Sequence, residues 1–547
     1  MRGLMQDWPL RLSTLLDNAA RWHADVEIVS RLDDGPLHRT NWGEIEIRAR
    51  RLAGALGRLG VKPGERVATL AWNSHRHLEL FFALPGAGAI CHTVNPRLGD
   101  EEMAYIFNHA GDRTVFVDAE FLPRLEAIAP QLKTVRRLVV LTDDPPPATG
   151  FAETLAYEAL IDASPAPAPW AEPDELDAAA LCYTSGTTGR PKGVLYSHRG
   201  LVLHAFSQCQ ADNMGLSSRS VMLPAVGMFH ANGWGIAHAA AMSGAKLVLP
   251  GRALDGASLF DLMEREAVNY AAGVPTVWLS FLAHLDESRQ RSKYLERLFV
   301  GGSAMARATM RRFEAEFGVS ILHGWGMTEI GPVANSARIK HKHATLPLEE
   351  QLDWKSTQGR AIYGVEMRVI DDDGVELARD GEVPGHIQVR GPWVTERYFP
   401  GDGATVNDAD GWFDTADIGT LDADGYLRLT DRDKDLIKSG GEWISSIDLE
   451  NAALQHPGVA EAAAIAVAHP KWDERPLLVV VKAAGAQVDA ASVLDHLRPH
   501  FAKWQLPDEV VFAADLPHTA TGKISKRHLR ERFKDHVWEP KPKTGKI

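Results

Sequence analysis

The sequence predicts an α/β fold: a large N-terminal portion of layered α/β subdomains with a β-rich subdomain, hinged to a small C-terminal α+β domain. Residues 10–141 alternate helical patterns with short apolar strands, such as a helix at 42–59 followed by a strand at 66–71, which is typical of α/β layering. Short strands punctuated by Gly and Asp occupy residues 364–429 and indicate the β-rich subdomain. The charged run at 431–435 separates them from a last unit with its own pattern, and such a boundary favours a hinge.

Length and composition fit a multidomain globular protein. The 547 residues exceed one ordinary domain, and the hydrophobic and charged shares of 45% and 24% are ordinary for globular chains. We therefore expect an N-terminal domain at residues 1–433, with its β-rich subdomain at about 364–430, and a C-terminal domain at 434–547. The formal net charge of −13 repels nucleic acid and anionic lipid. We expect no nucleic-acid partner, and a local positive site for any polyphosphate ligand.

Cysteine usage and hydropathy indicate a cytoplasmic protein without an integral membrane span. The three cysteines are scattered and form no CxxC pair, which suits a reducing compartment: Cys91, Cys182 and Cys209. The N-terminus carries Asp7 and Pro9 where a signal peptide needs an unbroken apolar core. The longest uncharged stretch, residues 221–245, is interrupted by Pro224, histidines and glycines, so we interpret it as a buried pocket wall.

The most informative segment is residues 183–194, YTSGTTGRPKGV. Its glycines allow consecutive backbone N–H groups to converge on an anion, its hydroxyls add donors, and its lysine adds a positive charge. The segment predicts a phosphate-holding loop, formed by Thr184, Ser185, Gly186, Thr187, Thr188, Gly189 and Lys192.

This loop is not the P-loop of nucleotide triphosphatases. Pro191 stands where the second glycine of that motif belongs, and a helix should open directly after the lysine. Instead, apolar runs at 178–183 and 193–196 predict that the loop joins two strands. A solvated Gly/Ser/Thr turn remains the alternative interpretation.

A second motif, residues 324–329, follows a predicted strand at 319–323. Trp325 suits stacking on a flat base, and Glu329 suits a divalent cation, because Mg²⁺ takes a few carboxylates together with phosphate oxygens. The alternatives are a core tryptophan and a carboxylate at a helix start.

A third motif, residues 411–419, places Asp417 near a strand end, and Arg432 follows on the next strand. An aspartate accepts hydrogen bonds from both hydroxyls of a ribose, and an arginine binds sugar or phosphate oxygens. A surface ion pair between the two is the alternative.

Lys523 ends a fourth motif, residues 516–524, on a turn before a basic helix at 525–533. It is either a functional cation or a solvated lysine. The run at 340–343, which contains His341 and His343, predicts an exposed loop rather than a metal site, since its lysines repel cations.

Together these motifs resemble those of the adenylate-forming superfamily of acyl-CoA synthetases, luciferases and adenylation domains. Five motifs match in order, over nearly the whole chain, at residues 183–194, 324–329, 411–419, 431–442 and 517–523. Residues 229–234, 438–445 and 501–506 are most similar to the bacterial medium- to long-chain fatty acyl-CoA synthetase branch, which includes ligases for 3-(methylthio)propionate.

The resemblance assigns an expected role to each matching residue. It implies a catalytic Lys523, a Mg²⁺ site at Thr184 and Glu329, ribose binding by Asp417 and Arg432, and a hinge at Lys434 that makes the C-terminal domain mobile. His230 would lie beside the substrate carboxylate, with Trp234, Gly301 and Ala304 at the substrate. The remaining nucleotide- or cofactor-binding residues would be Gly302, Ser303, Gly324, Trp325, Gly326, Met327, Thr328, Lys438, Gly441, Glu442 and Trp443.

The resemblance implies the activity of an ATP-dependent acyl-CoA ligase, and a homodimer is the expected assembly in that branch. ATP and an acid would give an acyl-adenylate and pyrophosphate with the help of Mg²⁺, and coenzyme A would then displace AMP. Relatives that activate amino acids usually carry an acidic residue directly after the phenylalanine that corresponds to Phe229. This sequence has no acidic residue there, so the resemblance favours a fatty acid or 3-(methylthio)propionate as substrate. Trp234 is then either a wall or gate of the acyl tunnel, or a core tryptophan.

Three other functions remain as alternatives. A stand-alone adenylation enzyme would load a carrier protein instead of coenzyme A, a luciferase-like oxygenase would consume oxygen, and a non-catalytic nucleotide sensor would not need Lys523.

Overall fold

The structure is a computed structural model. It describes residues 1, 3–32, 36–164, 166–184, 190–401, 404–432, 434–439, 442–483, 485–519 and 523–538, with the backbone alone at Glu442.

Strands form three sheets in this described part of the chain. The strands are β1 (Glu27–Ser30), β2 (His38–Asn41), β3 (Arg66–Leu70), β4 (Ile90–Thr93), β5 (Thr114–Val117), β6 (Arg137–Val140), β7 (Glu153–Ala156), β8 (Ala178–Tyr183), β9 (Gly193–Ser197), β10 (Val221–Pro224), β11 (Lys246–Leu249), β12 (Tyr270–Gly273), β13 (Arg297–Val300), β14 (Ser320–Gly326), β15 (Val333–Ser336), β16 (Gly359–Ala361), β17 (Glu366–Ile370), β18 (Gly385–Arg390), β19 (Phe413–Leu421), β20 (Tyr426–Arg432), β21 (Ile437–Ser439), β22 (Glu442–Ile444), β23 (Val459–His469), β24 (Asp473–Lys482) and β25 (Glu509–Ala513).

Helices cover the sheets. They are α1 (Ser13–Trp22), α2 (Trp42–Arg58), α3 (His75–Gly86), α4 (Asp100–Ala110), α5 (Leu122–Ile128), α6 (Tyr157–Asp162), α7 (His198–Cys209), α8 (Ile236–Ser243), α9 (Gly256–Glu266), α10 (Pro275–Ser288), α11 (Arg307–Phe317), α12 (His341–Ala344), α13 (Leu348–Lys355), α14 (Ser446–Ala453), α15 (Ala490–Leu497) and α16 (Lys526–Arg532). Some of them begin at a typical N-cap side chain: Asn41 accepts from the backbone N–H of Glu44 before α2, and Ser197 accepts from that of Gly200 before α7.

Two sheets form the N-terminal portion. One has the order β7-β6-β5-β3-β4-β8-β9, parallel except for the antiparallel pair β8 and β9. The other runs β17-β18-β19-β20-β16-β15-β14-β13-β12-β10-β11-β1-β2. Strand β14 joins its two halves, since residue 323 still pairs in parallel with β13 whereas Gly324 pairs antiparallel with β15. The predicted α/β fold with a β-rich part is confirmed.

Helices α2, α3, α7 and α8 lie in one large core with both sheets, containing Trp42, Leu56, Phe82 and Ala240, all fully buried. A last sheet, of order β22-β21-β24-β23 with β25 on β24, packs with α14, α15 and α16 as the small α+β unit. Burial of these apolar faces is what holds each layer together.

Two predicted bounds of strands and subdomains differ from the structure. The strand predicted at 319–323 begins at Ser320 and continues to Gly326, because Gly324 and Trp325 find partners on β15. Strands β15 and β16 belong to the antiparallel region, which therefore starts before residue 364. Within the charged run that predicts a hinge, Asp431 is only 2% exposed.

The expected exposed loop at residues 340–343 is wrong. Residues 341–344 form α12, and His343 is buried, stacked on Trp354 at 4.1 Å between ring centroids. Its Nε2 lies 3.1 Å from Oδ2 of Asp424, a residue that also pairs with Lys340. Asp424 comes from a distant hairpin, and its charge offsets the lysines that suggested solvent exposure.

Residues 221–245 form β10, a short 3-10 turn and α8, which are largely buried, as expected of a pocket wall. Of the helices described, none has both the length and the apolar character needed to cross a membrane.

Candidate active site

A cavity of about 480 Å³ lies between the two N-terminal sheets and the C-terminal unit. The carboxyl ends of β8, β13 and β14 lead directly into it, at Thr184, Gly301 and Met327. The cavity has the size of a small-molecule site and occupies the strand ends where α/β proteins bind ligands.

The two ends of the predicted phosphate loop, at Thr184 and Lys192, lie at this cavity. Tyr183 pairs with Gly193 across β8 and β9, so the loop does join two strands, as predicted. Beyond that pair, the Thr184 N–H donates to the Lys192 carbonyl at 2.9 Å, and the Lys192 N–H donates to Thr184 Oγ1 at 3.2 Å. Both residues line the cavity. The predicted loop residues Ser185, Gly186, Thr187, Thr188 and Gly189 lie outside the described residues.

Tyr398 connects the phosphate loop to Glu329. Its hydroxyl donates to Glu329 Oε1 at 2.9 Å, and the Lys192 ammonium lies 4.6 Å from the centroid of its ring. The next residue, Phe399, donates its N–H to the Gly193 carbonyl, which anchors this loop on β9. Burial raises the pKa of the Glu329 carboxyl, while the bond from Tyr398 opposes that shift.

Sequence reasoning missed Tyr398. The only local signal is an aromatic residue before the Pro400-Gly401 turn, and such turns are common, so the contact with Glu329 appears only in the fold.

Asp417 and Arg432 face each other in register on β19 and β20. Oδ1 of Asp417 lies 3.3 Å from Nε of Arg432, and its Oδ2 accepts a hydrogen bond of 2.9 Å from the indole of Trp325. Asp417 is 6% exposed, so the carboxylate of the pair is buried, whereas 41% of the Arg432 side chain is exposed at the cavity. Burial raises the pKa of the Asp417 carboxyl, and Arg432 and Trp325 oppose the shift. Trp325 both packs in the core of the antiparallel region and lines the cavity.

Lys523 reaches the same cavity from the C-terminal unit. Its Cε lies 3.7 Å from the position that a Cβ on Gly302 would take, and Gly302 has φ +83°, which favours glycine. Burial and the charge of Arg432 lower the pKa of the Lys523 ammonium to about 8, against the effect of Asp417. Lys523 is thus not a solvated lysine.

His230 and Trp234 form the opposite wall. All residues from 231 to 235 have positive φ, including Trp234 at 58°, and such backbone is retained where the surroundings enforce it. Trp234 is 6% exposed and packs edge-on against Phe299 at 5.9 Å. A Cβ on Gly301 would lie 3.3 Å from its ring. Burial and the charge of Lys523 lower the pKa of His230 to about 4, so its imidazole is neutral at pH 7.

The predicted residues fall into two groups. Those that line the cavity are Thr184, Lys192, His230, Trp234, Gly301, Gly302, Gly324, Trp325, Gly326, Met327, Thr328, Glu329, Arg432, Lys434 and Lys523. Within the part of the chain that is described, Asp417, Ser303, Ala304, Lys438 and Trp443 are not in its lining; Asp417 lies behind it, paired with Arg432 and Trp325, and the last two lie on the β21–β22 hairpin. Gly441 and the Glu442 side chain are outside the described residues.

The donor set suits Mg²⁺ rather than a metal held by protein alone. The described residues contain no group of three or more His, Cys, Asp or Glu side chains able to hold a metal. Glu329 and Thr184 nevertheless present a carboxylate and a hydroxyl to one cavity. Mg²⁺ keeps most of its ligands as water and substrate phosphate, so two protein oxygens fit it.

Comparison with known families finds two matches. A family model described as AMP-binding enzyme matches residues 15–399, and one described as AMP-binding enzyme C-terminal domain matches residues 448–523.

Curated relatives match over nearly their whole length. The chain is 48% identical over 536 residues to a 3-methylmercaptopropionyl-CoA ligase of Ruegeria lacuscaerulensis, covering 98% of this chain and 99% of the relative. It is 45% identical to a medium-chain-fatty-acid–CoA ligase of Ectopseudomonas oleovorans, covering 98% of each. It is 47% identical to a long-chain-fatty-acid–CoA ligase of Thermus thermophilus, covering 97% of each.

Solved structures share the fold. The anthranilate CoA ligase AuaEII in complex with anthranoyl-AMP superposes with a TM-score of 0.85 at 26% identity, covering 96% of this chain and 99% of that one. ATP-bound MatB from Rhodopseudomonas palustris superposes with a TM-score of 0.80 at 27% identity, with the same coverage.

Proposed function

The chain belongs to the AMP-binding enzyme family, and we propose that it activates an uncharged carboxylic acid, either a fatty acid or 3-(methylthio)propionate, for transfer to coenzyme A. It is an AMP-forming acid–thiol ligase that uses ATP, Mg²⁺ and coenzyme A, since its relatives are CoA ligases that match it end to end.

The reaction has two half-reactions. A carboxylate oxygen attacks the α-phosphate of ATP, the bond between the α-phosphate and the bridging oxygen breaks, and pyrophosphate leaves an acyl-adenylate. The sulfur of coenzyme A then attacks the acyl carbon, its proton is lost, and AMP leaves as the carbon–oxygen bond breaks. The first step brings a carboxylate toward a polyanion, so it needs positive charge at the reacting centre.

Lys523 is the proposed source of that charge. It lines the cavity from the C-terminal unit, as Lys434 does at the boundary, and its pKa of about 8 leaves it mostly protonated at pH 7. Lys192 would bind the outer phosphates at the phosphate loop, together with Thr184. The neutral His230 would donate a hydrogen bond from its ring N–H to the acid's carboxylate.

Glu329 and Thr184 would hold Mg²⁺, with Tyr398 fixing the Glu329 carboxylate. Bound there, Mg²⁺ neutralises phosphate charge. Asp417 would accept the ribose hydroxyls, with Arg432 beside the ribose. The adenine and adenylate would lie along Gly302, Ser303, Gly324, Trp325, Gly326, Met327 and Thr328.

The observation that carries the choice of acid is the wall at residues 229–234. It presents the neutral imidazole of His230 and the ring of Trp234, which packs against Phe299, and residues 229–234 include no carboxylate to pair with a substrate ammonium. A charged or zwitterionic acid would lose its hydration there without a partner. An uncharged acyl chain loses nothing by the same transfer.

The test is a series of acids from acetate to hexadecanoate, with 3-(methylthio)propionate, benzoate and an amino acid, assayed for AMP formation that depends on coenzyme A. We expect the uncharged aliphatic acids to be preferred. A preference for the amino acid, or AMP formation that does not respond to coenzyme A, would contradict the proposal.

Trp234→Ala sharpens this test, with Trp278→Ala as its control. If Trp234 is a wall of the acyl site, its removal moves the preference toward longer or bulkier acids. Trp278 is fully buried near Gly273 and does not line the cavity, so its removal should lower stability and leave the order of acids unchanged.

We propose further that the chain divides at Lys434 into domains 1–433 and 434–547, and that it is a cytoplasmic homodimer. The family models support the division, because one ends at residue 399 and the other begins at 448. Apolar side chains left exposed near the N-terminus, Leu4, Met5 and Trp8, support a second subunit. Light scattering of the purified protein tests the assembly, and a monomer mass would contradict it.

A further inference from the structure

Three hydrogen bonds that involve the side chains of Asp431, Ser445 and Ser446 cross the boundary at Lys434. On its N-terminal side, Asp431 Oδ2 accepts from the Ser446 N–H at 2.8 Å and from the Ser446 hydroxyl. The Ser445 hydroxyl donates to the Thr430 carbonyl at 2.6 Å. Asp431 and Ser446 are 2% and 0% exposed, so these contacts are made away from water, where they are strongest.

Lys526 extends this set of contacts to α16. Its ammonium donates to the Ser446 hydroxyl and lies 2.8 Å from Oε1 of Glu450, which also accepts from the backbone of Ala464. One turn later, Arg530 pairs with Asp435. The start of α16, and with it the turn that carries Lys523 three residues earlier, is thereby held against the end of β20.

The strand that carries Asp431 also carries Arg432, which pairs with Asp417 in the nucleotide site. A chain of direct contacts therefore runs from the cavity wall through Asp431 and Ser446 to Lys526. Any rotation at Lys434 that withdraws Lys523 must break the contact between Asp431 and Ser446, since these two residues lie on opposite sides of it.

We propose that Asp431, Ser446 and Lys526 are positioning residues that hold Lys523 in the cavity for adenylation and separate when the thioester-forming step follows. The proposal rests on the proposed role of Lys523 and the proposed hinge at Lys434. In this closed arrangement the buried carboxylate of Asp431 is paired, and in a rotated arrangement it would need water as its partner.

The test is Asp431→Asn, with Asp508→Asn as matched control. Asp508 is also a largely buried carboxylate, but its partner Arg475 lies on the same side of Lys434. Pyrophosphate release from the preferred acid reports adenylation, and thioester formation from supplied acyl-adenylate reports the second step.

We expect Asp431→Asn to slow adenylation about tenfold, as loss of a charged hydrogen-bonding partner does, with the second step unchanged or faster. Asp508→Asn should leave the ratio of the two rates as in the wild type. Equal slowing of both steps by Asp431→Asn, or no change in their ratio, would overturn the proposal.

A second measurement needs no acid and separates this proposal from the proposed function. Trypsin cleavage between Arg432 and Lys438 in the ligand-free protein reports opening of the boundary. Asp431→Asn and the milder Ser446→Ala should both be cut several-fold faster than the wild type and Asp508→Asn. Cleavage at the wild-type rate in both variants would overturn the proposal, whichever acid the enzyme uses.

Discussion

The indole N–H of Trp325 donates a hydrogen bond of 2.9 Å to Oδ2 of Asp417, which lies 92 positions further along the chain. The same carboxylate is paired with Arg432 through its other oxygen. Trp325 thus orients the group proposed to bind the ribose, in addition to lining the cavity. From the sequence, stacking on a base and packing in the core were alternatives for Trp325. The structure allows both, because the side chain packs in the core and also lines the cavity.

Trp325→Phe should raise the KM for ATP about tenfold and change kcat less. Phenylalanine keeps the apolar contact but removes the donor to a buried carboxylate, and a hydrogen bond to a charged group contributes about 1.5–3 kcal/mol. Steady-state kinetics with varied ATP measures it. Trp354→Phe is the control, since Trp354 packs on His343 away from the cavity. An unchanged KM in Trp325→Phe would refute the orienting role.

Tyr398→Phe should weaken the apparent affinity for Mg²⁺ about tenfold. The hydroxyl donates a hydrogen bond of 2.9 Å to the Glu329 carboxylate. Removing a hydrogen-bonding partner of a metal ligand typically lowers the affinity for the metal about tenfold or more. Titration of activity with Mg²⁺ at saturating ATP measures the change. Tyr426→Phe also deletes a tyrosine hydroxyl, one that donates to the Arg338 carbonyl outside the cavity, and should leave the titration unaltered. An equal shift in both variants would count against the assignment.

Adenylation should decline as pH rises through about 8. The pKa of Lys523 is lowered from 10.5 to about 8, so its charge is present below that pH and lost above it. The pH profile of kcat/KM for ATP reports the pKa values of the free enzyme, so it should fall as pH rises above about 8. His230, with a pKa of about 4, stays neutral throughout and adds nothing to it. The Lys523→Arg variant should catalyse adenylation more slowly, but its rate should not change with pH over this range, because arginine stays charged. If the fall in rate near pH 8 persists in this variant, the titrating group is not Lys523.

Lys434→Pro should preserve adenylation and abolish thioester formation. Proline fixes φ, and a rotation of the C-terminal unit requires backbone freedom at the boundary. Assaying pyrophosphate release and acyl-CoA formation separately measures both. Thioester formation at the wild-type rate would place the hinge elsewhere.

The parts of the fold that follow local patterns were predictable. The helix expected at 42–59 is α2, and the strand expected at 178–183 is β8, because amphipathic spacing and apolar runs depend only on nearby residues. The bound of β14 was misjudged because its last residues are extended by pairing with β15, a long-range contact. His343 was misjudged for the same reason, since Asp424 and Trp354 are distant in sequence.

The site residues also divide into those that the sequence could predict and those that depend on long-range contacts. Glu329 and Lys523 belong to short motifs whose residue types suit phosphate and metal chemistry, so the sequence could nominate them. Tyr398 belongs to no such motif, and its importance comes from the 2.9 Å contact that folding creates. The shifted pKa of Lys523 likewise depends on burial and on Arg432, neither of which local composition encodes.

The central claim is that Lys523 acts in adenylation within a CoA ligase of this family. Lys523→Ala, assayed for both half-reactions with the preferred acid, tests it most directly. We expect pyrophosphate release to fall on the order of 100-fold or more, as removal of a fixed charge donor does, while supplied acyl-adenylate is still converted to acyl-CoA. An equal loss of both half-reactions, or adenylation at the wild-type rate, would contradict the account.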